Sequence, residues 1–252
     1  MVRKDGRLPD QLRPVRIHRH FLRPSAGSVL IEFGNTRVIC TANIEEQVPP
    51  WLMEQKRGWI TAEYGMLPGA TSPRKARERS GRVDGRTAEI QRLIGRSLRA
   101  VTNLEALGPR SIIVDCDVLE ADGGTRTAAI TGAWIALVDA VRQLASQHNL
   151  STSQVIRHSV AAVSVGVVEG QILLDLNKEE DNAAAVDFNF VIASSGKLVE
   201  VQGTAEQTPF SEEDLLAMLA LARPAACQLF RLQREALGED WPLSESEVAF
   251  PL

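Results

Sequence analysis

Short apolar runs rich in β-branched residues recur along the chain between turn-forming residues, and such runs are typical of β-strands. Residues 28–44 contain two of them around Gly34-Asn35, a pair that tolerates positive φ angles and predicts a hairpin turn. A second hairpin is predicted at residues 159–176, around Glu169-Gly170. Further strands are predicted at residues 59–64, 111–119, 186–193 and 197–202.

Three longer stretches have the apolar spacing of helices instead. Residues 87–101 predict an amphipathic helix with arginines on its flanks, and residues 127–147, rich in alanine and leucine, predict a long buried helix. The third stretch, residues 211–237, begins with a Ser-x-x-Asp capping box and contains Pro224, which should kink or interrupt it. Because strands and helices do not alternate strictly, the pattern predicts an α+β fold.

The two halves of the chain share an order of elements. Each has a hairpin with an acidic end, a further strand and a later helix, and Glu45-Glu46 occupies a place like that of Glu180-Asp181. This parallel is consistent with an internal duplication. We therefore expect one domain over residues 1–252, with approximate halves 1–150 and 151–238 and a C-terminal tail at 239–252.

Composition narrows the class of protein. At 252 residues with 44% apolar and 24% charged residues, the chain is typical of a soluble globular protein. The apolar runs are too short to cross a bilayer, and the charged N-terminus does not resemble a signal peptide. Cys40, Cys116 and Cys227 have neither disulfide-framework nor zinc-site spacing, so we expect reduced thiols, a cytoplasmic location and no membrane partner.

Charge is distributed unevenly, although the net charge is only −4. Residues 74–99 hold nine Lys or Arg and three acids, whereas residues 200–252 hold ten acids and three Arg. Because charges are screened beyond about 8–10 Å, a local basic patch attracts polyanions even on an acidic protein. A solvated helix surface has the same pattern, so the patch alone does not identify a nucleic-acid binder.

Acidic residues cluster in LLDLNKEEDNAAAVDFN, residues 173–189. If the connection between the two predicted strands is tight, Asp181 and Asp187 come from neighbouring strand ends and converge. Mg²⁺ is usually held by one or two carboxylates together with water or substrate phosphate, so this pair is a candidate metal site. A solvated acidic turn would have the same sequence, and spacing alone leaves both interpretations open.

Two glycine-containing turns precede predicted helices and carry an arginine at the helix start. In ADGGTRTAAI, residues 121–130, Thr125 offers a hydroxyl and Arg126 a guanidinium beside the unpaired amides of a helix N-terminus. GRVDGRT, residues 81–87, places Arg86 similarly. Plain glycine turns are common, so the prediction of two anion sites depends on the arginines.

Five longer segments match a known family: GWITAEYGMLPGAT (58–71), GRTAEIQRLIGRSLRA (85–100), DCDVLEADGGTRTAAITGA (115–133), AAVSVGVV (161–168) and VEVQGTAEQTPFS (199–211). Through them the chain resembles the bacterial ribonuclease PH family over nearly its whole length. The resemblance implies two related β-α-β halves of the ribosomal protein S5 domain 2-like type sharing one core. It also implies a homohexamer built as a trimer of dimers.

The resemblance further implies a phosphorolytic 3′-to-5′ exoribonuclease, a tRNA nucleotidyltransferase. Such an enzyme uses inorganic phosphate to trim the 3′ ends of tRNA precursors and other RNA, and releases nucleoside 5′-diphosphates. The positions that match the family's phosphate-binding site are Arg86, Gly124, Thr125 and Arg126. Its catalytic, Mg²⁺-linked carboxylates match Asp181 and Asp187, and its tRNA-binding basic loop matches Arg74 and Arg77.

Three departures from the family pattern lie near these positions: Lys178 replaces a usual aromatic residue, Phe188 a usual methionine and Gly69 a frequent arginine. Two other functions remain open from the residues. A hydrolytic metal-dependent exonuclease would use the same carboxylates to activate water, and a non-catalytic ring subunit would only thread RNA.

Overall fold

The computed structural model of this protein describes residues 3–77 and 84–244. The strands in this part are β1 Val15–Arg19, β2 Gly27–Phe33, β3 Thr36–Glu45, β4 Trp59–Met66, β5 Ser111–Glu120, β6 Val160–Val168, β7 Gln171–Leu174, β8 Val186–Ala193 and β9 Leu198–Ala205. The helices are α1 Gly85–Ala100, α2 Leu104–Leu107, α3 Thr125–Gln147, α4 Thr152–Val155, α5 Lys178–Ala183 and α6 Glu212–Leu237. Short 3₁₀ helices lie at Pro50–Gln55, Pro68–Ala70 and Gly238–Asp240.

The strands form two sheets, one in each half of the chain. The first has the order β1-β2-β3-β5-β4, in which only β4 and β5 run parallel. The second has the order β7-β6-β8-β9 and is antiparallel throughout. Both predicted hairpins are confirmed, because β2 pairs with β3 across Gly34-Asn35 and β6 pairs with β7 across Glu169-Gly170.

Helix α3 is the centre of the core. It packs against β2 and β3 of the first sheet on one side and against β6 of the second sheet on the other. By length and hydropathy alone, α3 and residues 212–240 could cross a membrane, but 83% of the apolar window of α3 is buried inside the protein. A buried apolar helix between two sheets is a core helix, and the predicted α+β fold with two halves is confirmed.

Helix α6 corrects half of one prediction: Pro224, expected to kink or interrupt the helix, does not interrupt it. Proline removes a backbone donor and should break the helical hydrogen bonds one turn earlier. The helix nevertheless continues, because its apolar face is buried on both sides of the proline, at Met218, Ala222, Ala226 and Leu229, against β6 and β8. Tertiary packing outweighs the local loss.

The connection between the acidic residues is also different from the one expected. β7 ends at Leu174, and the chain then forms the short helix α5 before β8 begins at Val186. Asn177 caps α5, since its side chain accepts a hydrogen bond from the Glu180 amide and the Glu180 carboxylate accepts one from the Asn177 amide. Asp181 therefore lies on a helix and not at a strand end.

Of the other sequence-based predictions, residues 81–83 of the GRVDGRT segment and residues 245–252 of the predicted C-terminal tail lie outside the described residues.

Candidate active site

A polar cleft of about 890 Å³ opens where the first turns of α1 and α3 meet α5 and the strands β8 and β9. Six of the eight residues singled out from the sequence line it: Arg86, Gly124, Thr125, Arg126, Asp181 and Asp187. These residues come from four different elements, of which only α5 and β8 are neighbours in the chain. The fold therefore brings the predicted carboxylates and the predicted anion sites into one place.

The floor of the cleft is made by residues of the neighbouring strands β8 and β9. Asp187 and Asn189 of β8 face the cleft, while Phe188 between them is buried in the core. On the neighbouring strand, Thr204 pairs with Asp187 and Gln202 with Asn189, and both also line the cleft. On β8, the two-residue period of a strand thus places Asp187 and Asn189 toward the cleft and Phe188 and Phe190 in the core.

Asp181 reaches the cleft because of a buried ion pair on the opposite side of α5. Its neighbour Glu180 is 5% exposed and accepts two hydrogen bonds from the Arg3 guanidinium, at 2.8 and 2.7 Å. Because successive helix residues point about 100° apart, fixing Glu180 toward the protein turns Asp181 toward the cleft. The segment is therefore not a solvated acidic turn.

The two cleft carboxylates have raised pKa values. Burial raises the pKa of Asp187 most, and the charge of Asp181 raises it further, while Arg126 and Arg86 act in the opposite direction. The pKa of Asp181 is raised by the protein atoms crowded around it, although the carboxylate itself opens to the cleft, and the same arginines again oppose the shift. The effect of the Asp181 charge on Asp187 indicates that the two carboxylates lie close enough to interact electrostatically.

Such a pair fits a divalent cation. Neither carboxylate has a hydrogen-bond or ion-pair partner within residues 3–77 and 84–244, so their oxygens remain open to a ligand. No group of three or more His, Cys, Asp or Glu side chains with metal-ligand geometry occurs in that part of the chain. Mg²⁺ needs no such group, because water and substrate phosphates commonly complete the coordination of one or two carboxylates. Asp181 and Asp187 are the residues that would hold it.

The glycine turn before α3 has a backbone that side chains would block. Gly123 and Gly124 both have positive φ angles, 76° and 64°. A Cβ atom on Gly123 would lie 2.5 Å from the Leu176 carbonyl oxygen, which no real Cβ tolerates. Gly124 is the N-cap of α3 and supplies no side-chain cap, so the first amides of this helix face the cleft without a side-chain acceptor from the cap.

Thr125 presents its hydroxyl to the same opening. The buried Tyr64 hydroxyl donates a hydrogen bond to Thr125 Oγ1 at 2.8 Å. Burial raises the pKa of Tyr64 to about 12, so this phenol keeps its proton at neutral pH. Because Thr125 Oγ1 accepts from Tyr64, its own proton remains for an acceptor in the cleft.

The two arginines of the cleft differ in how they are held. Arg126 donates a hydrogen bond from Nη1 to Gln202 at 2.9 Å and lies 3.6 Å from Glu89, so one edge of its guanidinium is fixed by the protein. Arg86 is exposed, and it makes no hydrogen bond or ion pair with another residue of the described ranges. Both guanidiniums thus keep donors for an anion.

The predicted RNA contacts, Arg74 and Arg77, are exposed and do not line the cleft. They lie on the loop that leads to α1, and this loop is tied to the cleft on two sides. Lys178 of α5 donates from Nζ to the Ser72 carbonyl at 2.8 Å. Lys75 pairs at 2.9 Å with Asp84, the N-cap of α1. The basic loop therefore borders the cleft without forming part of it.

Several cleft residues were not found from the sequence, among them Ser164, Asn189, Gln202, Glu89 and Glu206. Asn189 follows Asp187 by two residues on the same strand, so the alternation alone would have indicated it. Ser164 and Gln202 lie on the strands either side of β8, and only the strand pairing brings them to the site.

Two family models match the chain. The model described as 3′ exoribonuclease family, domain 1, matches residues 11–143, and the model of domain 2 of the same family matches residues 158–225.

Among the solved structures with the same fold, one is from rice and one is from Archaeoglobus fulgidus. Rice (Oryza sativa) Rrp46 is similar with a TM-score of 0.76 and 23% identity, over 93% of this chain and 99% of that chain. A chain of the Archaeoglobus fulgidus exosome, in a structure described as having RNA bound to the active site, is similar with a TM-score of 0.75 and 21% identity, over 91% of each chain. At these identities the likeness shows a shared fold.

Proposed function

We propose a function that starts from the family of this chain. The chain belongs to the 3′ exoribonuclease family, because the two domain models of that family together match most of its length. The function is that of a phosphorolytic 3′-to-5′ exoribonuclease that removes nucleotides from RNA 3′ ends and releases nucleoside 5′-diphosphates. Its substrates are the 3′ ends of tRNA precursors and other RNA, and inorganic phosphate is its co-substrate.

One observation supports this proposal above the others. The open carboxylates of Asp181 and Asp187 share a cleft with Arg86, Arg126 and the uncapped start of α3. A hydrolytic nuclease needs the carboxylates but has no use for a second anion site beside the RNA phosphate. Two guanidiniums and a helix start are suited to hold a free phosphate against an RNA phosphodiester.

The reaction follows from this arrangement. Arg126, Arg86 and the amides of α3 bind inorganic phosphate and orient one of its oxygens toward the phosphorus of the terminal linkage. A new P–O bond forms as the bond to the 3′ oxygen of the preceding nucleotide breaks, which gives a nucleoside diphosphate and a shorter RNA. Phosphoryl transfer of this kind depends on positioning and charge stabilisation more than on a protein nucleophile.

Asp181 and Asp187 act on the leaving group of the reaction, the 3′ oxygen of the shortened RNA. A Mg²⁺ ion bound by these carboxylates would supply charge stabilisation for the departing 3′ oxygen and the phosphoryl oxygens. Burial raises the pKa of both aspartates, and the charge of Asp181 adds to the shift at Asp187, so a nearby cation would favour the charged form of the pair. Their electrostatic repulsion is the reason that a divalent ion suits the site.

The basic loop with Arg74 and Arg77 borders the cleft and provides an exposed surface for the body of a tRNA. Charge complementarity between this loop and a polyanion supports RNA as the substrate. We also propose the ring of six subunits that is implied by the resemblance to bacterial ribonuclease PH. Light scattering coupled to size-exclusion chromatography checks this point, since a monomer or dimer at micromolar concentration would contradict it.

The test of the function is a phosphate titration with a tRNA that carries a 3′ extension. Trimming should require phosphate and saturate with it, and the product should be nucleoside diphosphate. Mononucleotide release at full rate without phosphate would show a hydrolase instead. Asp181→Asn is the control for the site, because unchanged turnover in this variant would place the activity elsewhere and revive a purely RNA-threading role.

A further inference from the structure

We propose that Arg13 is a positioning residue of the active site, which holds the phosphate-binding turn of the first half against the metal-binding helix of the second half through Asp175. This inference rests on the proposed function for its chemistry. Arg13 is absent from the cleft lining and its side chain is 4% exposed, so it would act on the site through the turn and the carboxylate that it holds, and not by contact with substrate.

The pair is a fork-to-fork ion pair in the protein interior. Arg13 donates from Nε to Asp175 Oδ2 at 3.0 Å and from Nη2 to Asp175 Oδ1 at 2.7 Å. The Arg13 backbone amide donates a third hydrogen bond to Oδ2 at 2.8 Å. The Asp175 side chain is 2% exposed, so both charges are removed from water. Two parallel N–H···O bonds fix direction as well as distance.

The remaining donors of Arg13 hold the glycine turn. Nη1 donates to the Asp122 carbonyl at 2.5 Å and Nη2 to the Gly123 carbonyl at 3.3 Å. Thr36 completes this contact, since its hydroxyl donates to the Gly123 carbonyl at 2.7 Å and accepts from the Asp122 amide at 3.0 Å. The next three residues are the predicted phosphate-binding positions 124–126.

Asp175 connects the same guanidinium to the other side of the cleft. It lies between the end of β7 and Asn177, the N-cap of α5. Its backbone is in the left-handed region, with a φ of 52°, which aspartate tolerates better than most non-glycine residues and which surrounding contacts hold here. Further arginine contacts supply that hold, because Arg3 and Arg7 both donate to the Asp175 carbonyl, at 3.1 and 2.9 Å.

The geometry requires arginine and not simply a cation. One planar guanidinium bonds a carboxylate on one edge and two carbonyls on another, and a lysine ammonium cannot span both. Loss of this link frees the turn to move relative to α5, and with it Arg126 relative to Asp181. A misplacement of about 1 Å in such a site reduces the rate by roughly 100-fold.

The test compares Arg13→Lys with Arg19→Lys. Arg19 is a matched control, because it forms a similar bidentate pair with the buried Asp139, at 3.2 and 2.5 Å, and neither residue lines the cleft. Three quantities are measured for each purified variant: the melting temperature, the KM for phosphate with saturating RNA, and phosphate binding by calorimetry without RNA. The affinity for RNA without phosphate is measured alongside.

Arg13→Lys should raise the KM for phosphate and weaken its calorimetric binding by about 10- to 100-fold, as loss of a positioning contact does at other sites. Arg19→Lys should lower the melting temperature comparably and leave both quantities within twofold. RNA affinity should stay within twofold in both variants. If the two variants lose the same thermal stability and have the same KM and calorimetric affinity for phosphate, the proposal is overturned.

Thr36→Val keeps the test decisive if Arg13→Lys does not fold. This near-isosteric change removes the hydroxyl from the turn and leaves the ion pair intact, so phosphate KM should rise while Asp175 stays held. An unchanged phosphate KM in Thr36→Val would count against the proposal. Failure of the proposed function can be distinguished from failure of this inference. Wild-type turnover that does not depend on phosphate would refute phosphorolysis, but the ratio of Arg13→Lys to Arg19→Lys turnover would still measure the positioning effect.

Discussion

Replacing Arg126 with glutamine removes one positive charge from the cleft while keeping a polar side chain of similar reach. Nη1 of Arg126 is committed to Gln202 at 2.9 Å, so the donors that would meet phosphate are those on the other edge of the guanidinium. The side chain is only 18% exposed, which limits the water that could replace those donors. The substitution therefore tests anion binding with little expected loss of packing.

A hydrogen bond to a charged group contributes about 1.5–3 kcal/mol, and 1.4 kcal/mol corresponds to a factor of ten. Loss of the Arg126 contact should accordingly raise the KM for phosphate by about 10- to 150-fold. Glu89 lies 3.6 Å from the same guanidinium and neutralises part of its charge, which favours the lower part of that range. RNA affinity should change by less than a factor of about three, since the basic loop is untouched.

The assay is the rate of nucleoside diphosphate release against phosphate concentration, with RNA binding measured separately by anisotropy. Arg92→Gln is the control, because Arg92 is an exposed arginine of α1 that does not line the cleft. A phosphate KM for Arg126→Gln within twofold of wild type, or an equal rise in Arg92→Gln, would refute the assignment of Arg126 as a phosphate ligand.

Three further predictions address the carboxylates and the RNA side. Asp187→Asn should lower kcat about 100-fold without changing RNA affinity. Because the pKa of Asp187 is raised in the folded protein, its charged form destabilises the fold, so the substitution should also raise the melting temperature at pH 7 in metal-free buffer. This gain should disappear as the pH falls below the usual carboxyl pKa near 3.8, where the wild-type carboxyl is protonated in both states. A melting temperature that falls at pH 7 would contradict that sign. Arg74→Ala should flatten the salt dependence of RNA binding by about 0.7 in log–log slope, and an unchanged slope would exclude a phosphate contact. Lys178→Met should raise the KM for RNA about two- to tenfold, because it removes the hydrogen bond to the Ser72 carbonyl. The KM for phosphate should stay unchanged, and a rise in it would contradict this prediction.

The parts of the site that are local in sequence could be predicted. The turn before α3 needs two adjacent glycines with positive φ, and Arg126 follows within two residues. The prediction of an anion site therefore depends on one short segment of sequence. The strand β8 places Asp187 by simple alternation. What spacing could not decide was whether the acidic segment is a site or a solvated turn, because the answer depends on the pairing of Glu180 with Arg3, 177 residues away.

The long-range polar contacts of the fold could not be predicted for the same reason. Nothing in the sequence near Arg13 indicates that it reaches Asp175 and the Gly123 carbonyl, since the partners lie 162 and 110 residues away. Helix α5 was missed because it is short and its signal is one capping box, formed by Asn177 and Glu180. The interruption expected at Pro224 does not occur, because local helix chemistry could not show how much apolar surface α6 buries against the second sheet.

The central claim, that this cleft uses phosphate and not water to cut RNA, is tested most directly by the fate of oxygen. Trimming of a 3′-extended tRNA in ¹⁸O-enriched water with ordinary inorganic phosphate should release nucleoside diphosphate that contains no ¹⁸O. Nucleoside monophosphate that carries one ¹⁸O atom per molecule would contradict the account.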